Sequence, residues 1–590
     1  LHRHPRLFAA LAAVVLATLV GCGFQPKRHN LVIFVADGLR SGIVTSRTAP
    51  TMAEIRREGV DFQNSHSLFP TVTTANASAI ATGHRLGDTG DFGNSVFPGD
   101  APLPNDPTAR VVHFENDAVL GDMNQRFGGD YLGETSLLEA ARKAGYETAV
   151  VGKLGPSSIQ DVLARDGRST VVIDDNTGAA KGFPLPAWVR KAIAAVGLGP
   201  SAPATGQPNT AQQDWFTAVV TRVLLPRFHD EDRPFVLVFW SLDPDGSQHE
   251  TRDSLGSLTP GINGPTSLAA IRNADTDLAR IRASLHNLGL EDSTDIVVTA
   301  DHGFSTDSRQ SATSGAAKAA YPDVPQGFLP PGFFAIDLAH ALTLPLYDRK
   351  GVSVDPGKGA FPSGGSALIG KDPAHPDIVI GANGGADLLW LPGADAKVLA
   401  QRAVAAITQQ DYVAAIFVDD ALGPIPGTLP LSAIGLVGSA RTPRPSIVVS
   451  FRSYSTGCAN PELCAAEVAE TSLQQGQGIH GSLSRANTHN FMAAIGPDFR
   501  RHYLDPAPVS NADLAPTLAK IFGFDLGNVG RLGGRVLREA RRDGDQAGAY
   551  RADLISSTQA ANGFRTVLHV QRLGDQTYYD WAGAPGRVVQ

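Results

Sequence analysis

Leu31-Val32-Ile33-Phe34-Val35-Ala36-Asp37-Gly38 is the stretch on which the reading of this chain turns. It is an unbroken apolar run that stops at an acid and a glycine. A half-exposed strand would alternate apolar and polar residues, whereas an unbroken run fits a strand buried on both faces, as in a parallel sheet. Comparable runs recur at Thr148–Gly152, Phe235–Trp240, Asp295–Ala300, Asp377–Ile380 and Ser446–Phe451. Stretches with helical character lie between them, at Gly133–Ala144, Leu268–Leu288 and Ala396–Gln409. This alternation predicts an α/β fold, a layered sandwich with a central, mostly parallel sheet flanked by helices. In such folds functional residues gather beyond the carboxyl ends of the strands.

Composition narrows the class. The chain has 590 residues, 42% of them apolar and 18% charged, with a net charge of −8 and no basic block. That balance fits a globular protein and argues against a nucleic-acid polymer as partner, because such binding rests on neutralising phosphates with Lys and Arg. The 62 Gly and 40 Pro imply many loops and a loop-built site. At the N-terminus His2, Arg3, His4 and Arg6 precede an apolar run from Leu7 to Val20. That run is short for a membrane span and suited to a signal peptide. It ends in Leu19-Val20-Gly21-Cys22, which resembles a bacterial lipobox. Residues 1–22 are therefore expected to be a lipoprotein signal peptide, with acylation of Cys22, export, and a lipid anchor in the bacterial cell envelope. Cys458 and Cys464 are the other cysteines. They could close a small disulfide loop in an oxidising compartment or stand as free thiols, and neither has the CxxC partner of a zinc–thiolate site.

The acids and histidines are ordinary one at a time, but their positions repeat. Asp37 directly follows Leu31–Ala36, and Asp301-His302-Gly303 directly follows Asp295–Ala300. Asp245 and His249 follow Phe235–Trp240, and His480 stands beside Gly481 in a late glycine-rich segment. Three aspartates and three histidines presented from separate strand ends are the mixed oxygen and nitrogen set that two neighbouring divalent cations need. The histidines favour zinc over magnesium. A nucleophile candidate lies in Phe69-Pro70-Thr71-Val72-Thr73-Thr74-Ala75-Asn76, a proline loop leading into a small-residue helix. A hydroxyl at a helix N-terminus faces backbone N–H groups that favour a phosphate anion.

With these residues in view, the chain resembles the type I phosphodiesterase/nucleotide pyrophosphatase branch of the alkaline phosphatase superfamily. Phe69-Pro70-Thr71-Val72-Thr73 through Ile80-Ala81-Thr82-Gly83 is similar to that branch's nucleophile motif. The resemblance implies that Thr73 is the nucleophile and that Asn94 holds a phosphate oxygen. It implies one metal on Asp245, His249 and His480, and another on Asp37, Asp301, His302 and the Thr73 hydroxyl. The expected cofactors are two zinc ions, and the expected substrate a small phosphate ester, such as a nucleotide. Residues 31–305 and 376–540 are expected to form the two parts of an alkaline phosphatase-like catalytic domain. Between them 306–375 reads as a loop-rich insertion or lid, 386–420 as a small α/β subdomain, and 541–590 as a tail with a terminal hairpin. No sequence feature fixes an oligomeric state.

The pattern departs from the family in two places. The usual Pro-Asn-His after the nucleophile is Ala75-Asn76-Ala77, and the usual Trp-Pro-Gly is replaced by Val151-Gly152-Lys153-Leu154-Gly155. Lys153 resembles the lysine that some Thr-nucleophile monoesterases of the superfamily use on phosphate, although their following Arg is Gly155 here. Lys153 is thus either a substrate contact or a solvated strand-end lysine, and diester and monoester hydrolysis both stay open. A sulfatase would need a Cys/Ser-x-Pro-x-Arg motif that the cysteines do not supply. An inert surface-binding lipoprotein would not need the whole set of Asp37, Thr73, Asn94, Asp245, His249, Asp301, His302 and His480.

Overall fold

The computed structural model describes residues 28–179, 182–527 and 529–590. The apolar leader and Cys22 lie outside the described residues. Four strands carry the site: β1 (Asn30–Ala36), β2 (Glu147–Gly152), β3 (Phe235–Ser241) and β4 (Thr294–Thr299). Among the described residues they form the centre of an eight-stranded sheet, in the order Tyr503–Ser510, Val60–His66, Met492–Ile495, β4, β1, β3, β2, Val171–Asp174. Pairing is parallel except at Met492–Ile495, which runs antiparallel to both its neighbours. The fold is mixed α/β, with helices on both faces of this mostly parallel sheet.

The pleat explains why these runs are apolar throughout. Leu31, Ile33 and Val35 point into one core, and Val32, Phe34 and Ala36 into the other. The second core is closed by the helix Pro265–Asn287, through Ile271, Ala274, Leu278, Ile281 and Leu285. Register then sets the site. Val35 pairs with both Trp240 and Thr299, and Gly152 pairs with Trp240. The chain therefore leaves all four strands at one level, and Asp37, Lys153 and Asp301 emerge side by side.

A second sheet, seven-stranded among the described residues, runs Leu346–Asp348, Ala367–Ile369, Ile378–Asn383, Ala386–Trp390, Ile447–Phe451, Val413–Val418, Leu429–Pro430. The runs read as Asp377–Ile380 and Ser446–Phe451 belong here, in mainly antiparallel pairings, and not in the parallel sheet. An apolar run reports burial on both faces and says nothing about the direction of its partner. Residues 306–375, read as loop-rich, contribute the buried helix Phe333–Leu342 and the strands Leu346–Asp348 and Ala367–Ile369 to this unit. The C-terminal segment pairs Val567–Leu573 with Gln576–Ala582, and Arg551–Ser556 adds a third strand. No helix among the described residues is long and apolar enough to cross a membrane.

Candidate active site

Helix α1 (Thr73–Thr82) begins at Thr73 itself, with Val72 extended before it. The helix consists almost wholly of Ala, Ser and Thr, so it can be buried along its whole length and still approach the sheet closely. Thr73 is fully buried. The backbone N–H of Thr74 donates to Asn94 Oδ1 at 2.9 Å. That bond commits the amide oxygen and leaves the Nδ2 hydrogens of Asn94 to offer a ligand. Behind Thr73, Thr74 Oγ1 and Tyr131 Oη each donate to Asp91, both at 3.0 Å. Asn76 closes the proline loop by accepting from Leu68 N at 2.8 Å and donating to Leu68 O at 3.1 Å.

The three expected aspartates are all buried, and each divides its oxygens in the same way. The outer oxygens are satisfied. Asp37 Oδ2 accepts from Trp240 Nε1 at 2.8 Å, Asp301 Oδ1 from Gly38 N at 3.0 Å, and Asp245 Oδ2 from Lys153 Nζ at 3.0 Å. The inner oxygens, Asp37 Oδ1, Asp245 Oδ1 and Asp301 Oδ2, have no hydrogen-bond partner. Orphaned buried carboxylate oxygens are costly unless a cation meets them.

The histidines face those oxygens. His249 Nε2 and His480 Nε2 lie 3.3 and 3.4 Å from Asp245 Oδ1. His302 Nε2 lies 3.2 Å from Asp301 Oδ2, 3.6 Å from Asp37 Oδ1 and 3.4 Å from Thr73 Oγ1. The rings of His302 and His480 stack at 3.7 Å, so His302 also approaches the Asp245 set. Each Nδ1 is tied to a backbone carbonyl: His249 to Gly478 at 2.8 Å, His302 to Gly303 at 2.9 Å, and His480 to Thr71 at 2.8 Å. A carbonyl only accepts, so Nδ1 carries the hydrogen and Nε2 keeps its lone pair, the tautomer a metal requires. Inner carboxylate oxygens and Nε2 lone pairs thus converge in two sets that share His302: Asp245, His302, His480 and Asp37, Asp301, His302, with His249 Nε2 beside Asp245 Oδ1 rather than within either set. The donors fit metal binding on their chemistry.

Lys153 reaches the same centre. Gly152 has φ +138°, and a Cβ there would stand 1.9 Å from Trp240 O, so glycine alone lets β2 end so close to β3. Lys153 Nζ then lies 3.1 Å from Asp37 Oδ2 and 3.3 Å from Thr73 Oγ1. Burial pushes the Asp37 carboxyl well above its usual value, and the like charges of Asp245 and Asp301 push it further. Burial alone would lower the Lys153 ammonium, but the carboxylates of Asp245, Asp37 and Glu115 outweigh it and hold it well above the ordinary value.

All eight expected residues and Lys153 are brought to one centre. Sequence reasoning missed Trp240, read only as core, and Glu115, which pairs with Lys153 at 3.1 Å. Trp240 ends its apolar run at the level of Asp37, which is a usable signal, but no local signal marks Glu115. Cys458 and Cys464 are bridged. Within their loop Leu463 O accepts from Arg40 Nη1 at 2.9 Å, so the bridged loop buttresses the turn after β1.

Residues 31–316 match the family model described as type I phosphodiesterase / nucleotide pyrophosphatase. No curated protein matches the chain.

Proposed function

We propose, from the premise that this chain over residues 31–316 belongs to the type I phosphodiesterase / nucleotide pyrophosphatase family, that it hydrolyses phosphate esters through a phospho-threonine on Thr73. The observation that carries this reading is the convergence of Thr73 Oγ1 with three orphaned carboxylate oxygens and three Nε2 lone pairs. Asp245, His249 and His480 would hold one zinc ion, and Asp37, Asp301 and His302 another. Bound there, the cations supply positive charge to the attacking and leaving oxygens of an in-line displacement.

The chain's own groups do the rest. Thr73 Oγ1 forms a bond to phosphorus as the ester P–O bond breaks and the alcohol departs. Asn94 Nδ2 and the free N–H groups at the start of α1 hold the equatorial oxygens, where charge develops. Water then cleaves the phospho-threonine and restores the hydroxyl, releasing inorganic phosphate from a monoester or the remaining phosphomonoester from a diester.

The family favours diesters and pyrophosphates. Lys153 carries a second reading, since an ammonium 3.3 Å from the nucleophile suits a doubly charged monoester. Export and a lipid anchor on Cys22 remain part of the proposal, and the Cys458–Cys464 bridge supports them because disulfides persist in oxidising compartments.

The test is kcat/KM for p-nitrophenyl phosphate and bis-p-nitrophenyl phosphate, beside zinc content. Wild type should bind about two zinc ions per chain and turn over at least one ester. Thr73→Ala should lose turnover of both esters and keep its zinc. Full activity in Thr73→Ala would remove the nucleophile assignment, and a wild type that takes up no zinc would remove the metal sets.

A further inference from the structure

Lys153 has four close partners, and one of them is neither a candidate metal ligand nor the nucleophile. Its Nζ lies 3.0 Å from Asp245 Oδ2, 3.1 Å from Asp37 Oδ2, 3.3 Å from Thr73 Oγ1 and 3.1 Å from Glu115 Oε1. Glu115 comes from the short connection between the strand Val112–His113 and the helix Asp117–Arg126. Its other oxygen, Oε2, faces the exposed imidazole of His113 at 3.4 Å. The side chain therefore runs from the protein surface to the lysine.

The backbone holds this arrangement closed. Gly155 has φ +91°, and a Cβ there would stand 2.7 Å from Glu115 Cα. No side chain can project from position 155 without moving the Glu115 segment. Leu154 N donates to Asp175 Oδ2 at 2.6 Å, which fixes the same turn from the other side. On this side of Thr73 the Lys153 ammonium is thus met directly by the Glu115 carboxylate, while Asp175 is turned to Leu154 N. Burial raises the Glu115 carboxyl, but Lys153 and His113 outweigh burial and hold it near 2, so it is ionised at neutral pH.

The consequence is electrostatic. Asp37 and Asp245 meet Lys153 through Oδ2 and would offer Oδ1 to the cations, which would offset their charge, so Glu115 is the partner of Lys153 whose charge no cation would offset. A phosphomonoester carries nearly two negative charges at neutral pH, because its second pKa is near 6, and a diester carries one. A phosphate at Thr73 lies one ammonium away from the Glu115 carboxylate, and in a partly dehydrated site that repulsion weighs on every additional negative charge.

We propose that Glu115 sets the ester selectivity of this site: its carboxylate cancels the Lys153 charge beside Thr73, so a singly charged phosphodiester is favoured over a doubly charged monoester. The inference rests on the phosphate-ester reading above and goes beyond it by naming the residue that chooses the ester.

Glu115→Gln keeps the shape and removes the charge. The ratio of kcat/KM for p-nitrophenyl phosphate to that for bis-p-nitrophenyl phosphate should rise roughly tenfold or more, at unchanged zinc content. Glu115→Ala should move the ratio the same way, and Glu115→Asp, which keeps the charge, should stay close to wild type. Inorganic phosphate should bind Glu115→Gln about tenfold more tightly by calorimetry, a readout independent of turnover. A merely structural role would lower both esters in parallel. A parallel fall, or an unchanged ratio with unchanged phosphate affinity, overturns the proposal and leaves ester hydrolysis standing. A wild-type protein that holds zinc and cleaves neither ester overturns both.

Discussion

Replacing Trp240 by phenylalanine removes one hydrogen bond from the proposed metal centre and leaves every ligand in place. The indole is fully buried, and its Nε1–H donates to Asp37 Oδ2 at 2.8 Å. In Trp240→Phe that oxygen keeps only Lys153 Nζ, at 3.1 Å. A hydrogen bond to a charged group contributes about 1.5–3 kcal/mol. At about 1.4 kcal/mol per tenfold, the loss corresponds to roughly 10- to 100-fold in affinity. Outer partners of metal ligands cost the same range when removed. The effect should fall on the cation proposed for Asp37, Asp301 and His302, because the indole N–H donates to Asp37 of that set. Phenylalanine also leaves a void in a fully buried slot, so overall stability falls as well. The two effects separate experimentally: thermal unfolding in excess chelator reads the packing loss, and competition with a fluorescent zinc chelator reads affinity. Wild type should titrate as two tight sites and Trp240→Phe as one tight and one weak. Two unchanged affinities in a folded variant would refute the argument that the indole tunes Asp37. Equal weakening of both sites would refute the separation of the ligand sets.

Three further outcomes are expected. Lys153→Ala should lower kcat/KM for p-nitrophenyl phosphate at least about tenfold more than for bis-p-nitrophenyl phosphate, and equal losses would show that the ammonium does not discriminate. Asp277 in the helix Pro265–Asn287 is pushed by burial from 3.8 up to about 7, with Oδ1 accepting from Thr217 Oγ1 at 2.8 Å. A raised acid pKa means the folded state holds the proton more tightly, so this group costs stability as pH rises from about 4 to about 7. Asp277→Asn should match wild type in denaturation midpoint at pH 4 and exceed it at pH 8, whereas parallel pH profiles would remove the assignment. Cys22→Ser, expressed with its native leader in a lipoprotein-processing bacterium, should lose the acyl chain by mass spectrometry and leave the membrane fraction. An acyl-free wild-type protein would end the anchor proposal.

What the sequence disclosed was what sits close along the chain. Asp37 and Asp301 each follow an apolar run directly, and register at Val35, Trp240 and Thr299 carries those run-ends to one level. A residue's distance from its own strand end was therefore a measure of position in space. The two strands assigned to the wrong sheet, Ile378–Asn383 and Ile447–Phe451, failed for the converse reason, since pairing direction depends on a partner far away in sequence. The charge balance around Thr73 was hidden in the same way. Lys153 was visible at the end of β2, but its meaning depends on Glu115, which reaches it through tertiary packing alone. Gly155 is the trace this contact leaves in the sequence: a position where the resembling monoesterases carry an arginine and where this chain admits only a glycine, because the Glu115 backbone occupies the space. Exchanging a potential second cation for an acid takes two charges from one side of the phosphate position. The ligand set can stay the same while the preferred ester changes, which is why ligand motifs name the reaction and leave the substrate to residues no motif contains.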